Sequence, residues 1–219
     1  MKKFVMSYSC GKDSTLSLYR MIKRGHTPLA LLVTVDKKVC RSWFHGIPEH
    51  LLNEVSNSLE IELDMIKCQG EEYKTAFEKT LRKWKEQGAD ACVFGDIDLE
   101  AHRAWCTERC ETVGMEAIFP LWLEDREELT YEFIDSGFKT VIKNVRLKDM
   151  GPEFLGEVLT KEVVERIKET GSDPCGENGE YHTFVYDGPL FKYPIKFEYL
   201  NIVKNETHGF LDVKEKEYE

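Results

Sequence analysis

Apolar runs and helical periodicities alternate along the first 122 residues. KFVMSY at 3–8 predicts a short strand. STLSLYRMIKR at 14–24 sets Leu16, Leu18, Tyr19 and Ile22 at roughly helical spacing, with Gly25 as its stop. LALLVTVD at 29–36 is an unbroken apolar run rich in β-branched residues, which predicts a strand buried on both faces. The pattern then predicts a helix over 47–59 behind Pro48, a strand over 61–68 and a charged amphipathic helix over 71–87. A strand over 90–97, a helix over 98–113 stopped by Gly114, and a strand over 115–122 follow. Strands alternating with helices imply βαβ units. The expected fold is therefore α/β, a parallel five-stranded sheet with helices on both faces. In such sheets ligands gather at the carboxyl ends of strands. Ser9–Ser14, Asp36, Gly95–Asp96 and Pro120–Trp122 all fall there.

Beyond residue 124 the pattern changes. Helices are expected over 126–136 and 152–170, with a strand over 138–147 between them. Gly- and Pro-rich hairpin material over 171–197 and a frayed tail, KEKEYE, close the chain. This predicts one domain over 1–123 and a smaller α+β substrate-binding domain over 124–219.

Composition narrows the function. The 219 residues carry a formal net charge of −10 and no long basic stripe, which disfavours nucleic acid as a partner. No apolar run approaches the ~20 residues of a membrane helix, and the N-terminus lacks a secretory apolar region. A cytoplasmic protein is expected, with no membrane partner. The seven cysteines are odd in number and scattered, which argues against a disulfide framework.

Candidate chemistry concentrates at SCGKDS, residues 9–14. A strand, a small-residue loop and a helix make a phosphate cradle, because N–H groups at a helix N-terminus point outward with partial positive charge. Ser9 and Ser14 add hydroxyls, Gly11 allows close approach and Lys12 adds a point charge. Asp13 suits bracing the loop or standing near a magnesium ion. The Walker A spacing is absent.

The loop resembles S-G-G-K-D-S, the PP-loop of the N-type ATP pyrophosphatases, with Cys10 at the first Gly. Four further stretches resemble the diphthine–ammonia ligase family: FGDI at 94–97, H-R-x-W at 102–105, PLW at 120–122 and DPCGENGEYHTFVYDGPLF at 173–191. The resemblance implies a HUP/Rossmann-like PP-loop fold and ATP cleavage between the α and β phosphates. A carboxylate is adenylated, and ammonia then displaces AMP to form an amide. It also implies ATP contacts from Ser9, Cys10, Gly11, Lys12, Asp13, Ser14, Asp36, Gly95 and Asp96. Lys12, Asp13, Glu177 and Glu180 become the catalytic candidates, and Asp13 and Asp96 the candidate magnesium ligands.

For the acceptor the candidates are His45, His102, Arg103, Asn178, Gly179, Tyr181, His182 and Thr183. Residue type alone leaves Glu177 and Glu180 open as solvated turn carboxylates, His102 and Arg103 as surface residues, and His45 as plain loop. Trp105 and Trp122 read as packing. The diphthamide branch has E-G-G-E-[YF]-E-[ST], whereas this chain has ENGEYHT at 177–183. A Glu suits the trimethylammonium group of diphthine and His182 does not, so a different carboxylate acceptor is expected, a corrinoid-related one being suggested for such variants. A tRNA-modifying enzyme and a non-catalytic nucleotide-binding module are the rival classes. A second copy of the chain stands as a candidate partner.

Overall fold

The computed structural model describes residues 1–216. These group into two compact units. The first comprises 1–9, 13–43 and 60–123. The second comprises 10–12, 44–59 and 124–216.

The first unit holds a six-stranded sheet. Five strands are parallel: β1 (Lys3–Ser7), β2 (Thr27–Asp36), β4 (Glu62–Cys68), β5 (Ala91–Val93) and β6 (Glu116–Ile118). They lie in the order β4-β2-β1-β5-β6. Phe4, Val5 and Met6 of β1 and Ala30–Val33 of β2 are buried on both faces, as their continuous apolar runs require. The sixth strand, β3 (Arg41–Ser42), pairs antiparallel with Val35 and Asp36, an addition that its polar sequence did not announce.

Helices α1 (Lys12–Lys23), α3 (Glu72–Glu86) and α4 (Glu100–Thr112) flank the sheet. Phe77, Leu81 and Trp84 of α3 meet Cys106 and Cys110 of α4 over Val5, Leu32 and Cys92. Two expected strands are shorter than their apolar runs. β6 ends at Ile118, two residues before Pro120, which has no N–H to give a ladder. β5 ends at Val93, so that Gly95 and Asp96 lie on the loop beyond it.

In the second unit a four-stranded antiparallel sheet runs β8-β7-β10-β9: β8 (Tyr181–Asp187), β7 (Lys139–Arg146), β10 (His208–Glu215) and β9 (Phe197–Lys204). Helices α2 (Glu49–Leu59), α5 (Arg126–Asp135) and α6 (Lys161–Glu169) accompany it. Asp125 caps α5, its side chain accepting from the N–H groups of Glu127 and Glu128 at 2.9 Å each. The helix expected over 152–170 is a correction. Only a 3-10 turn at Pro152–Phe154 and then α6 form. Gly156 sits at φ +85°, which breaks the helix, and Val158 bridges to Val141. Thr160 then restarts the helix by accepting from the Val163 N–H at 3.3 Å.

The expected frayed tail is also partly corrected. Lys214 and Glu215 belong to β10, and residues 217–219 lie outside the described residues. No helix among the described residues is long and apolar enough to cross a membrane.

Candidate active site

The loop after β1 keeps the expected strand–loop–helix geometry, and α1 begins at Lys12. On the first unit's side, the hydroxyls of Ser9 and Ser14 lie 3.1 Å apart, and the Ser9 N–H donates to the Ser14 hydroxyl at 3.3 Å. Tyr8 and Thr15 join hydroxyls at 3.0 Å beneath them. Gly95 is pressed against this turn. A Cβ there would lie 2.8 Å from the Ser14 nitrogen and 3.0 Å from the Asp13 carbonyl carbon. The glycine thus lets the β5 loop abut the first turn of α1.

Cys10 takes φ +63°, the left-handed region where a non-glycine residue costs about 1–2 kcal/mol. A glycine in the resembling pattern would meet no such cost. The conformation is held from both ends: the Cys10 carbonyl accepts from the Val185 N–H at 2.8 Å, and the side chain is buried. Burial pushes the thiol pKa far up, so Cys10 is a neutral thiol and no thiolate nucleophile.

Lys12 is 4% exposed, an unusual burial for an ammonium group. Its N–H donates to the Thr183 hydroxyl at 3.1 Å, and its Nζ lies 5.6 Å from the centre of the Tyr181 ring. Around it in the second unit stands His45. Its Nδ1 is 2.7 Å from the Thr183 carbonyl oxygen, and its ring lies 4.9 Å from that of His182. A carbonyl only accepts, so Nδ1 carries the proton and Nε2 keeps its lone pair. Burial first, and the charges of Lys12 and Lys143 after it, lower the His45 pKa from 6.5 to about 4, against the Thr183 bond that favours protonation.

This has a consequence for stability. The unfolded imidazole titrates near 6.5 and the folded one near 4, so the unfolded chain binds the extra proton between them. Stability is therefore complete above pH 6.5 and falls as the pH drops toward 4, by up to about 3 kcal/mol. Thermal melts at pH 7 and pH 4.5 should show a smaller drop in His45→Gln than in the wild-type chain. Equal drops would contradict the assignment.

Of the ENGEYHT residues, Gly179 takes φ +83° and turns the chain into β8. Tyr181 donates to the Pro174 carbonyl at 2.6 Å. The Asn178 side-chain amide donates to Glu180 Oε1 at 3.1 Å, while the Asn178 backbone carbonyl accepts from Arg146 Nη1 at 2.9 Å. The Glu177 N–H donates to Asp173, which also accepts from the Cys175 N–H at 2.9 Å and pairs with Arg126. Glu180 is buried, Glu177 less so.

Asp36, Asp96, His102 and Arg103 belong to the first unit. Asp36 Oδ1 accepts from the Lys38 N–H at 2.7 Å and from the Gln69 amide at 3.0 Å, which holds its pKa down and braces the turn after β2. His102 Nδ1 is 3.3 Å from Asp96. The Arg103 guanidinium lies 4.6 Å from the centre of the Trp122 ring, so Trp122 stacks on a cation as well as packing. Trp105 stacks on Tyr73 at 5.0 Å. Among the described residues, no group of three or more His, Cys, Asp or Glu is placed to hold a metal ion. Magnesium arriving on a nucleotide needs only one or two carboxylates.

Lys143 and Asn144 were not singled out from the sequence. They lie at a β-bulge: Ile142 pairs with Thr183 and Asn144 with His182, which leaves Lys143 as the extra residue. Both are at most 5% exposed. The signal was present as KN inside the apolar run VIKNV.

Two family models cover nearly the whole chain. One described as Diphthamide synthase N-terminal domain matches residues 1–117, and one described as Diphthamide synthase C-terminal domain matches 125–218. Curated relatives named diphthine–ammonia ligase include those of Mus musculus and Homo sapiens. Each is 25% identical over 94% of this chain and 86% of the relative. The namesake of Schizosaccharomyces pombe is 30% identical over 91% of this chain and 36% of its own length. Nothing in these comparisons supports a cobalamin association. With both halves matched in order, and with the strand, loop and helix of SCGKDS in place, the chain belongs to the diphthamide synthase family.

Proposed function

We propose that the protein is an ATP-dependent amide ligase acting in the cytoplasm. It activates a carboxylate with ATP and passes it to ammonia, a reading supported by relatives named diphthine–ammonia ligase. The observation that carries this is the buried Lys12 at the first turn of α1, beside the small-residue loop.

The triphosphate belongs against Ser9–Ser14. There the N–H groups of the first turn of α1 and the Lys12 ammonium offset the charge that builds on pyrophosphate as it leaves. The carboxylate oxygen attacks the α-phosphorus, and the bond to the β-phosphate oxygen breaks. Ammonia then adds to the acyl carbon, AMP departs with the bonding electrons, and one proton is released. Activation is needed because hydroxide leaves poorly and AMP leaves well. The chain's own contribution is placement and charge, with no covalent protein intermediate. Cys10, Gly95 and Asp36 shape and brace the loops, while Asp13 and Asp96 are the residues offered to magnesium. In the second unit Glu177, the rest of the ENGEYHT segment and His45 are offered to the acceptor; in the first unit His102 and Arg103 are the candidates.

His182 favours a second reading of the acceptor. An imidazole that is neutral or positive gives no attraction to a quaternary ammonium, whereas a Glu there would. An acceptor less cationic than diphthine is the expected preference. The test is amidation of diphthine-bearing elongation factor, with ATP and ammonium, by the wild-type chain and by Asn178→Gly with His182→Glu. With ammonium saturating, the double variant is expected to gain up to about fivefold in kcat/KM for this substrate, the upper end of an exposed charge contact. Efficient amidation by the wild-type chain with no gain in the variant would return diphthine itself as the acceptor.

A further inference from the structure

Two buried acceptors in the second unit have no hydrogen-bond donor among the described residues: Glu180 Oε2 and Asn144 Oδ1. The residues are 6% and 5% exposed, so water does not simply bathe them. Both are fixed by their other atom. Glu180 Oε1 is held by the Asn178 amide at 3.1 Å, and Asn144 Nδ2 donates to the Phe44 carbonyl at 3.2 Å, which turns Oδ1 the other way.

They also share a face. Asn144 stands opposite His182 in the β7–β8 ladder, and the Arg146 N–H donates to the Glu180 carbonyl at 2.8 Å. Residues opposite one another in an antiparallel pair project to the same side, as do residues two apart on a strand. Glu180 and Asn144 are therefore diagonal neighbours, with Cα atoms about 7–8 Å apart. Their side chains can reach toward one point between them. Burying two acceptors unpaired is costly, and two on one face call for a shared donor.

We propose that Glu180 Oε2 and Asn144 Oδ1 bind the ammonium ion that supplies the amide nitrogen. A small cation with four N–H donors satisfies both oxygens and carries the single positive charge that one carboxylate balances. A divalent metal fits less well, because the two open oxygens include only one carboxylate. Arg146 does not itself fill the place, since it is committed to Asp149 and to the Asn178 carbonyl. The departure of this chain from the E-G-G-E pattern gains a role here. Asn178, standing at the second Gly of that pattern, supplies the amide that pins Glu180 and leaves Oε2 open.

The inference rests on ammonia being the nucleophile, and its test separates the two. Thallium(I), an ammonium-sized cation, is soaked into crystals of the full chain, which needs no turnover. The expected result is an anomalous peak at about 3 Å from both oxygens, displaced by ammonium chloride and lost in Glu180→Gln and Asn144→Leu. In turnover assays the same variants should raise the KM for ammonium by about tenfold or more and leave the KM for ATP unchanged. No peak in the wild-type chain, or an unchanged ammonium KM in both variants, overturns the site. A peak in a chain whose turnover ignores ammonium upholds the site and overturns the ligase reading.

Discussion

Lys12→Ala is expected to lower ATP-dependent AMP formation by about two to three orders of magnitude, the loss typical of removing one preorganised charge from a developing anion. The size follows from burial. Lys12 is 4% exposed, and a charge screened from water acts on a phosphate more strongly than a surface lysine does. It is also held in place, by the N–H bond to Thr183 and the Tyr181 ring. Lys12→Arg should fail to restore activity, because a planar guanidinium does not replace a compact ammonium in a filled site. Steady-state rates with matched circular dichroism spectra check this. Activity within threefold of wild type in Lys12→Ala would remove the loop from the chemistry.

Gly95→Ala should have the second largest effect. Its Cβ would meet the Ser14 nitrogen at 2.8 Å and the Asp13 carbonyl carbon and Ser14 Cα at 3.0 Å. All three are backbone atoms, so no side chain can swing aside. The first turn of α1 must shift, and such overpacking costs about 1–3 kcal/mol. Function should suffer more than stability, since a displacement of about 1 Å at a positioning element can cost about 10²-fold. Melting curves and ATP titrations decide the case. An alanine variant with wild-type melting and ATP affinity would mean that the contact yields without consequence.

These two residues also mark where the sequence was informative. The β1–loop–α1 unit is local: Ser9–Ser14 are contiguous, and a strand, a small-residue turn and a helix each have their own signal. The parallel strands were legible because burial on both faces leaves unbroken apolar runs such as LALLVTVD. The place of Cys10, where the resembling pattern has Gly, is where the loop takes φ +63°.

Other features depend on contacts that no window of sequence contains. The reading of 152–170 as one helix failed because its apolar spacing persists across Gly156, and Val158 is drawn instead to Val141. The bulge at Lys143 exists only in the pairing of β7 with β8, so Lys143 and Asn144 passed as ordinary strand residues. His102, a candidate for the acceptor, lies beside Asp96. That pairing spans six residues of loop and helix, and residue type alone does not reveal it.

The most direct test of the proposed chemistry is the identity of the nucleotide product. The purified chain would be incubated with ATP, magnesium, ammonium and a carboxylate acceptor, and the nucleotides separated by ion-exchange chromatography. AMP and pyrophosphate in equal amounts, formed only when the acceptor is present, are the predicted result. ADP and inorganic phosphate would contradict it.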